Sequence, residues 1–262
     1  MTFVLVHGFA DLGYGWRGVA EHLAPHGHVI APDLRGHGDS DWIGAGGYYH
    51  FMDYVADLDD VIAQRVTGRL VLVGHSMGGS IAAYWAGTRP ERVSALALLE
   101  GIGPPDMSGV DGPTRTAHWI DSWRAARGKL RTLPSLADAA RRLRAHDPLL
   151  ADELALDLAE HATRLVDGGP GRTWKHDPLH QTIGPYAYRV DAAIKYWQRI
   201  TCPVLIVDGA QSTLNLPESE RASRRAQFAN HTHAVVEGAG HMMTRHQPAP
   251  VAELILELTR GR

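Results

Sequence analysis

One hexapeptide constrains this chain more than any other feature: Gly74-His75-Ser76-Met77-Gly78-Gly79, directly after the apolar run Leu70–Val73 and just before Ile81-Ala82-Ala83-Tyr84-Trp85-Ala86. A buried strand that turns through Gly-x-Ser-x-Gly into a helix is the pattern of a nucleophile elbow. The turn is so sharp that Ser76 is expected near left-handed backbone geometry. Side chains two positions to either side would collide with the adjoining strand and helix, which explains glycine at 74 and 78. Such a turn lifts the Ser76 hydroxyl above the sheet edge. It also aims the first N–H groups of the next helix at whatever the serine attacks.

The segments around the elbow set the fold class. Short apolar runs at 3–6, 28–32, 70–73, 93–99, 203–207 and 233–236 read as strands. Helical spacing at 16–23, 54–62, 81–86 and 249–258 separates them. Strands that are apolar on both faces and alternate with helices predict a parallel sheet covered on both sides. The expected fold is α/β, a mostly parallel doubly wound sheet of about six strands. Between 102 and 200 strand runs vanish. Spans 118–127, 136–146, 150–166 and 192–199 read as amphipathic helices, separated by Gly103-Pro104-Pro105 and Gly168-Gly169-Pro170-Gly171. The expected organisation is therefore a core of 1–101 and 201–262 with an α-helical cap of 102–200 inserted into it.

Charge and composition exclude several classes. A net charge of -3 with no basic run argues against a nucleic-acid surface. No apolar stretch approaches the ~20 residues that span a bilayer. The N-terminus enters a strand at once, without a basic region or a small-residue cleavage site, and the single cysteine, Cys202, cannot form an internal disulfide. A cytoplasmic location is expected from both. The sixteen histidines show no His-Glu-x-x-His spacing, and no Cys-x-x-Cys occurs, so neither a metal nor another cofactor is expected. Oligomeric state has no sequence signal here.

Four motifs occur in the order found in the α/β-hydrolase superfamily: His7-Gly8-Phe9, Asp33-Leu34-Arg35-Gly36-His37-Gly38-Asp39-Ser40, Gly74-His75-Ser76-Met77-Gly78-Gly79 and Gly238-Ala239-Gly240-His241. The chain resembles that superfamily over nearly its whole length. Leu99-Glu100-Gly101-Ile102-Gly103, Tyr188-Arg189-Val190-Asp191 and Trp197 resemble its cap-bearing bacterial serine hydrolases. Compared with the family, the sequence opens on what is usually the third strand, so the fold is expected without its first hairpin.

The resemblance implies a cofactor-free hydrolase with Ser76 as nucleophile and His241 as the base that takes and returns its proton. It implies an oxyanion hole from the backbone N–H groups of Phe9 and Met77. The acid departs from the family pattern. The usual Gly-x-x-Asp turn reads Gly209-Ala210-Gln211-Ser212. Two carboxylates remain: Glu100, where some relatives place their acid, and Asp208, one turn early and able to face a helix layer instead. Glu100 is the favoured assignment, with Asp208, another acid or a Ser-His dyad as alternatives. His75 is expected to be a buried structural neighbour, and Asp33, Arg35 and Ser40 to hold their loop together. The cap carries Trp119, Trp123, Trp174, Tyr186, Tyr188 and Trp197 with His118, His176 and His180. Each is individually more at home in packing, while together they suggest an apolar small-molecule acyl or lactone substrate. Ester, thioester or lactone hydrolysis is the expected reaction. Serine at the elbow speaks against the epoxide-hydrolase and haloalkane-dehalogenase branches, which carry aspartate there. The alternatives are non-hydrolytic chemistry on the same residues (lyase, carbon–carbon cleavage, cofactor-free oxygen chemistry) and a non-catalytic ligand-binding protein.

Overall fold

A computed structural model describes residues 1–44, 46–166, 168–214 and 216–260. Six strands form one parallel sheet: β1 (Thr2–Val6), β2 (His28–Ile30), β3 (Leu70–His75), β4 (Ala95–Leu99), and then, after the insert, strands at Val204–Gly209 and His231–Val236. Across the sheet the order is β2, β1, β3, β4, Val204–Gly209, His231–Val236. Alternation along each strand divides two cores between the two faces. Val4, Val6, Leu72, Leu96, Leu98, Val204 and Ile206 face one way, against α2 (Phe51–Arg65) and α3 (Met77–Thr88). Phe3, Leu5, Val71, Val73, Ala97, Leu205 and Val207 face the other, against α1 (Arg17–Leu23) and the C-terminal helix Pro248–Thr259. Burial on both sides is why these strands read as unbroken apolar runs.

The insert holds more than helices. It contains α4 (Gly112–Ala126), α5 (Leu136–His146) and α6 (Asp152–Ala162), but also a three-stranded antiparallel sheet of β5 (Thr132–Leu133), β6 (Thr163–Leu165) and β7 (Arg172–Trp174). The helix expected over 150–166 therefore stops at Ala162. Thr163 and Val166 are β-branched, and Val166 N–H donates to Gly171 O across the glycine-rich turn, so the chain reverses as a hairpin instead of continuing the helix. Helix starts follow local chemistry: Asp111 accepts from Thr114 N–H at the start of α4, and Ser135 accepts from Asp138 N–H at the start of α5. α5 and α6 enclose a small core of Leu133, Ala139, Leu150, Ala155, Leu158 and Ala159. The insert ends in α7 (Val190–Trp197), which lies on α3; there a Cβ on Gly87 would meet the carbonyl of Tyr196.

After the insert come β8 (Val204–Gly209), α8 (Glu218–Arg225), β9 (His231–Val236), the short helix α9 (Met243–His246) and α10 (Pro248–Thr259). Buried Arg224 of α8 donates from one nitrogen to the carbonyls of Ile102, Gly103 and Pro104 (2.8–2.9 Å), fixing the point where the chain leaves the sheet for the insert. Among the described residues no helix is long and apolar enough to cross a membrane.

The elbow carries the tightest backbone approach. A Cβ on Gly78 would run into the carbonyl oxygens of Val6 and His7. Gly78→Ala is expected to lower unfolding free energy by roughly 1–3 kcal/mol or more, because the colliding atoms are backbone and cannot move aside. Gly109, with no heavy atom within 4 Å of its would-be Cβ, is the control: Gly109→Ala should stay within about 0.5 kcal/mol of wild type in urea titration. Equal stability of the two variants would contradict this packing.

Candidate active site

Consecutive strands of a parallel sheet deliver their carboxyl ends to one edge. Here five neighbours in the sheet, β1, β3, β4, β8 and β9, are followed by Phe9, Ser76, Glu100, Ser212 and His241 respectively. Ser76 sits at φ 53°, ψ -120°, as the elbow requires. Its N–H donates to Leu99 O (2.9 Å), so the turn is pinned to the strand that carries Glu100. Few residues other than glycine adopt this geometry, and it is held by the close approach of Gly74 and Gly78 to their surroundings.

Glu100 is the carboxylate that meets His241. Its Oε2 accepts from His241 Nδ1 at 2.6 Å and from Ser212 Oγ at 2.8 Å, and its Oε1 accepts from Gly209 N–H at 2.9 Å. Only 4% of its side chain is exposed. Burial alone would raise its pKa, but the hydrogen bonds from His241, Gly209 and Ser212 outweigh it and hold the carboxyl below its ordinary value. With Nδ1–H donated to the carboxylate, the His241 Nε2 lone pair is the one free to accept a proton. Ser212, at the position where the resemblance leads one to expect the acid, donates to the Glu100 carboxylate.

Asp208 faces the other way. Its Oδ2 is taken by Arg221 (2.8 Å) and His233 Nε2 (2.9 Å), with Arg225 at 3.5 Å, all on the helix side of the sheet. The residues of α8 that claim it went unread in the sequence, because a helix this highly charged shows no apolar stripe.

The other expected donors lie where the chain places them. Met77 N–H opens α3 and has no acceptor four residues back within the helix. On β1's side, the Gly8–Phe9 peptide is oriented by a residue that sequence reasoning treated only as part of a motif. Buried His7 donates from Nδ1 to Gly8 O (2.8 Å) while its Nε2 accepts from Leu34 N–H (2.9 Å). Asp11 N–H also donates to Gly8 O. In a planar trans peptide the N–H points opposite to the C=O, so gripping Gly8 O turns Phe9 N–H the other way. Gly8 is itself close to the elbow: a Cβ there would lie 3.1 Å from both Ser76 Cβ and His75 Nδ1. The loop is anchored further by a buried Asp11–Arg245 ion pair that ties it to α9.

His75 is buried and donates from Nε2 to the carbonyl of His241 (2.8 Å), its ring 4.7 Å from the His241 ring. It thus holds the His241 loop from below. Asp33 accepts from the N–H groups of Gly13 and Asp39, Ser40 donates to Asp33 O, and Arg35 forms a paired contact with Asp57 at 2.5 Å. These contacts organise the loop. The aromatic residues of the insert divide. Trp197 is buried and stacked on Phe228 in the core, while Tyr186 and His118 are exposed. Tyr188 packs its hydroxyl on Gly103. Trp119, Trp123 and Trp174 are half-buried. Trp123 borders a cavity of about 540 Å³ and Trp174 and His176 one of about 600 Å³, both along the 126–130 segment. Among the described residues no three of His, Cys, Asp and Glu converge to hold a metal ion.

A family model described as alpha/beta hydrolase fold matches residues 2–244. The AB hydrolase superfamily protein YfhM of Bacillus subtilis (strain 168) is 28% identical over 267 residues, covering 99% of this chain and 90% of that protein. Lipase LipV of Mycobacterium tuberculosis is 28% identical over 263 residues, covering 95% of this chain and 90% of LipV. The solved thioesterase domain from the curacin biosynthetic pathway superposes with a TM-score of 0.82 at 30% identity, covering 97% of this chain and 90% of that one. Together these relatives support hydrolase activity.

Beside the Glu100–His241 pair, buried histidines join insert to core. His37 Nε2 accepts from Ala10 N–H, and its ring stacks at 4.1 Å on His180 of the insert. His180 in turn donates from Nε2 to Gly36 O. Burial, then the neighbouring His241, pushes His75 down to about 4; burial, then His176, does the same to His180; burial, then His180, takes His37 to about 2. These rings stay neutral in the folded state while the unfolded chain protonates them near 6.5. The unfolded state therefore binds more protons below that pH, and stability falls as pH drops from 6.5 toward 4. Glu100 adds its own loss only below its ordinary value of 4.5. Urea midpoints measured from pH 7 to 4.5 should decline in wild type and decline less steeply in His180→Gln. A flat wild-type profile would contradict the neutral buried cluster.

Proposed function

The chain belongs to the α/β-hydrolase family, and from that premise we propose that it is a serine hydrolase cleaving a carboxylic ester, thioester or lactone through an acyl-enzyme on Ser76. Ser76 Oγ attacks the carbonyl carbon as His241 Nε2 takes its proton. Phe9 and Met77 N–H groups receive the developing oxyanion, donors of a kind worth roughly 2.7–4 kcal/mol each. Collapse breaks the bond to the leaving group, which recovers the proton from His241. Water, deprotonated by the same imidazole, then attacks the acyl carbon and returns free Ser76 and the carboxylic acid. Glu100 holds His241 in the Nδ1–H tautomer and stabilises its charged form. The observation that carries this reading is the 2.6 Å Glu100–His241 contact at the strand ends beside the Ser76 elbow. The aromatic content of the insert, with Trp119, Trp123 and Trp174 half-buried, is what suggests an apolar acyl or lactone substrate of moderate size. The relatives named as a lipase and as a thioesterase support an ester or thioester as the bond cleaved.

Intact-mass detection after fluorophosphonate treatment tests the nucleophile. One adduct on wild type and none on Ser76→Ala is expected, and an unlabelled wild type counts against the proposal. Kinetics on an ester and thioester panel test the acid. Glu100→Gln should lower kcat by about 10²–10⁴-fold, through loss of the tautomer lock. Asp208→Asn should stay close to wild type in kcat. A collapse confined to Asp208→Asn would move the acid to residue 208.

A further inference from the structure

The base of such a site is only as well placed as the loop that carries it. The His241 loop, between β9 and α9, is held at three backbone atoms. Ala239 O accepts from Gln211 N–H (2.8 Å), His241 O accepts from His75 Nε2–H (2.8 Å), and Gly240 N–H donates to His246 Nδ1 (3.1 Å). The first two lie within the core. The third leads out of it. A His246 ring that accepts at Nδ1 and is neutral carries its proton on Nε2, and that nitrogen lies 2.8 Å from Asp147 Oδ1. Asp147 belongs to the insert, at the C-terminal end of α5.

Both side chains are shielded from water, His246 at 3% and Asp147 at 10% exposure. The insert also touches this loop directly: Leu149 Cδ1 lies 3.3 Å from where a Cβ of Gly240 would be. A carboxylate facing Nε2 favours the tautomer with its proton there and leaves the lone pair on Nδ1. The opposite tautomer would set an N–H against the Gly240 N–H. The Ala239–Gly240 peptide, one before the peptide that carries the His241 N–H, would then lose its acceptor and shift.

We propose that Asp147 and His246 form a positioning pair that makes the placement of His241 depend on the seating of the insert. Asp147 fixes the His246 tautomer, His246 holds Gly240 N–H, and the held peptide sets where the His241 imidazole stands. Neither residue touches substrate or exchanges a proton in the reaction. The inference rests on His241 being the base.

Steady-state kinetics on an ester that wild type hydrolyses, with thermal melting alongside, separate the possibilities. His246→Leu keeps volume but has no acceptor, and should lower kcat about 10- to 100-fold with KM changed less than about two-fold, as expected for a misplaced base. His246→Gln, whose amide offers both an acceptor and a donor, should recover kcat at least several-fold over His246→Leu. Asp147→Ala should lower kcat with the same KM pattern, and it carries the test if His246→Leu does not fold. Wild-type kcat in both His246→Leu and Asp147→Ala would overturn the proposal. So would equal losses in the Leu and Gln variants, or a change confined to KM, each of which indicates packing alone. Fluorophosphonate labelling of wild type keeps the two readings apart. Wild type labelled with kcat unaffected in the variants sinks only the positioning pair, whereas an unlabelled wild type sinks the hydrolase reading itself.

Discussion

A carboxylate almost sealed from water is costly unless donors surround it, and the Glu100 side chain is such a group. Its two oxygens receive three donors, from His241, Ser212 and Gly209. Those donors come from the ends of β8 and the loop after β9, while Glu100 itself ends β4 beside the elbow of β3. Satisfying one buried charge therefore draws four strand ends into a single arrangement. If Glu100 were turned aside, His241 would lose its orienting partner and Ser212 its acceptor.

The rest of the edge is arranged by similar reciprocal grips. His7 and Asp11 hold Gly8 O, which turns the Phe9 N–H; Arg245 of α9 pairs with Asp11; His75 holds the His241 carbonyl. α9 is only four residues long, yet it touches the loop after β1 through Arg245 and the insert through His246. Its position directly after the His241 loop makes it the junction of these parts. Most of these contacts involve groups with little or no exposure to solvent, where hydrogen bonds are stronger and an unpaired partner is more costly.

Much of this was legible in the chain. The glycines at 74 and 78 announce close backbone approaches that the structure contains, and the four inner strands read as apolar runs because burial on both faces leaves no alternation there. Glu100 could be favoured over Asp208 because some relatives in the resembled family place their acid at that strand end, and because strand alternation lets Asp208 face a helix layer instead. Why Asp208 is occupied elsewhere was not legible. Its partners Arg221 and Arg225 sit on α8, whose charged sequence has no periodic apolar face to mark it. The hairpin of β6 and β7 was hidden for a related reason: Thr163–Leu165 continues an amphipathic pattern, and only the return contact from Gly171 decides against a helix. The pairing of His246 with Asp147 joins residues 99 positions apart, and among sixteen histidines nothing local distinguishes that one.

The contact between Glu100 and His241 is the claim on which the arrangement stands, and proton NMR of the imidazole ring observes it directly. A ring N–H shared with a buried carboxylate at 2.6 Å is protected from exchange and strongly deshielded. Wild type should show such a low-field resonance, assigned to Nδ1 by its loss in His241→Gln. It should persist in Asp208→Asn and vanish or move far upfield in Glu100→Gln. A low-field resonance unchanged in Glu100→Gln would contradict the account, because the histidine would then be oriented by some other group.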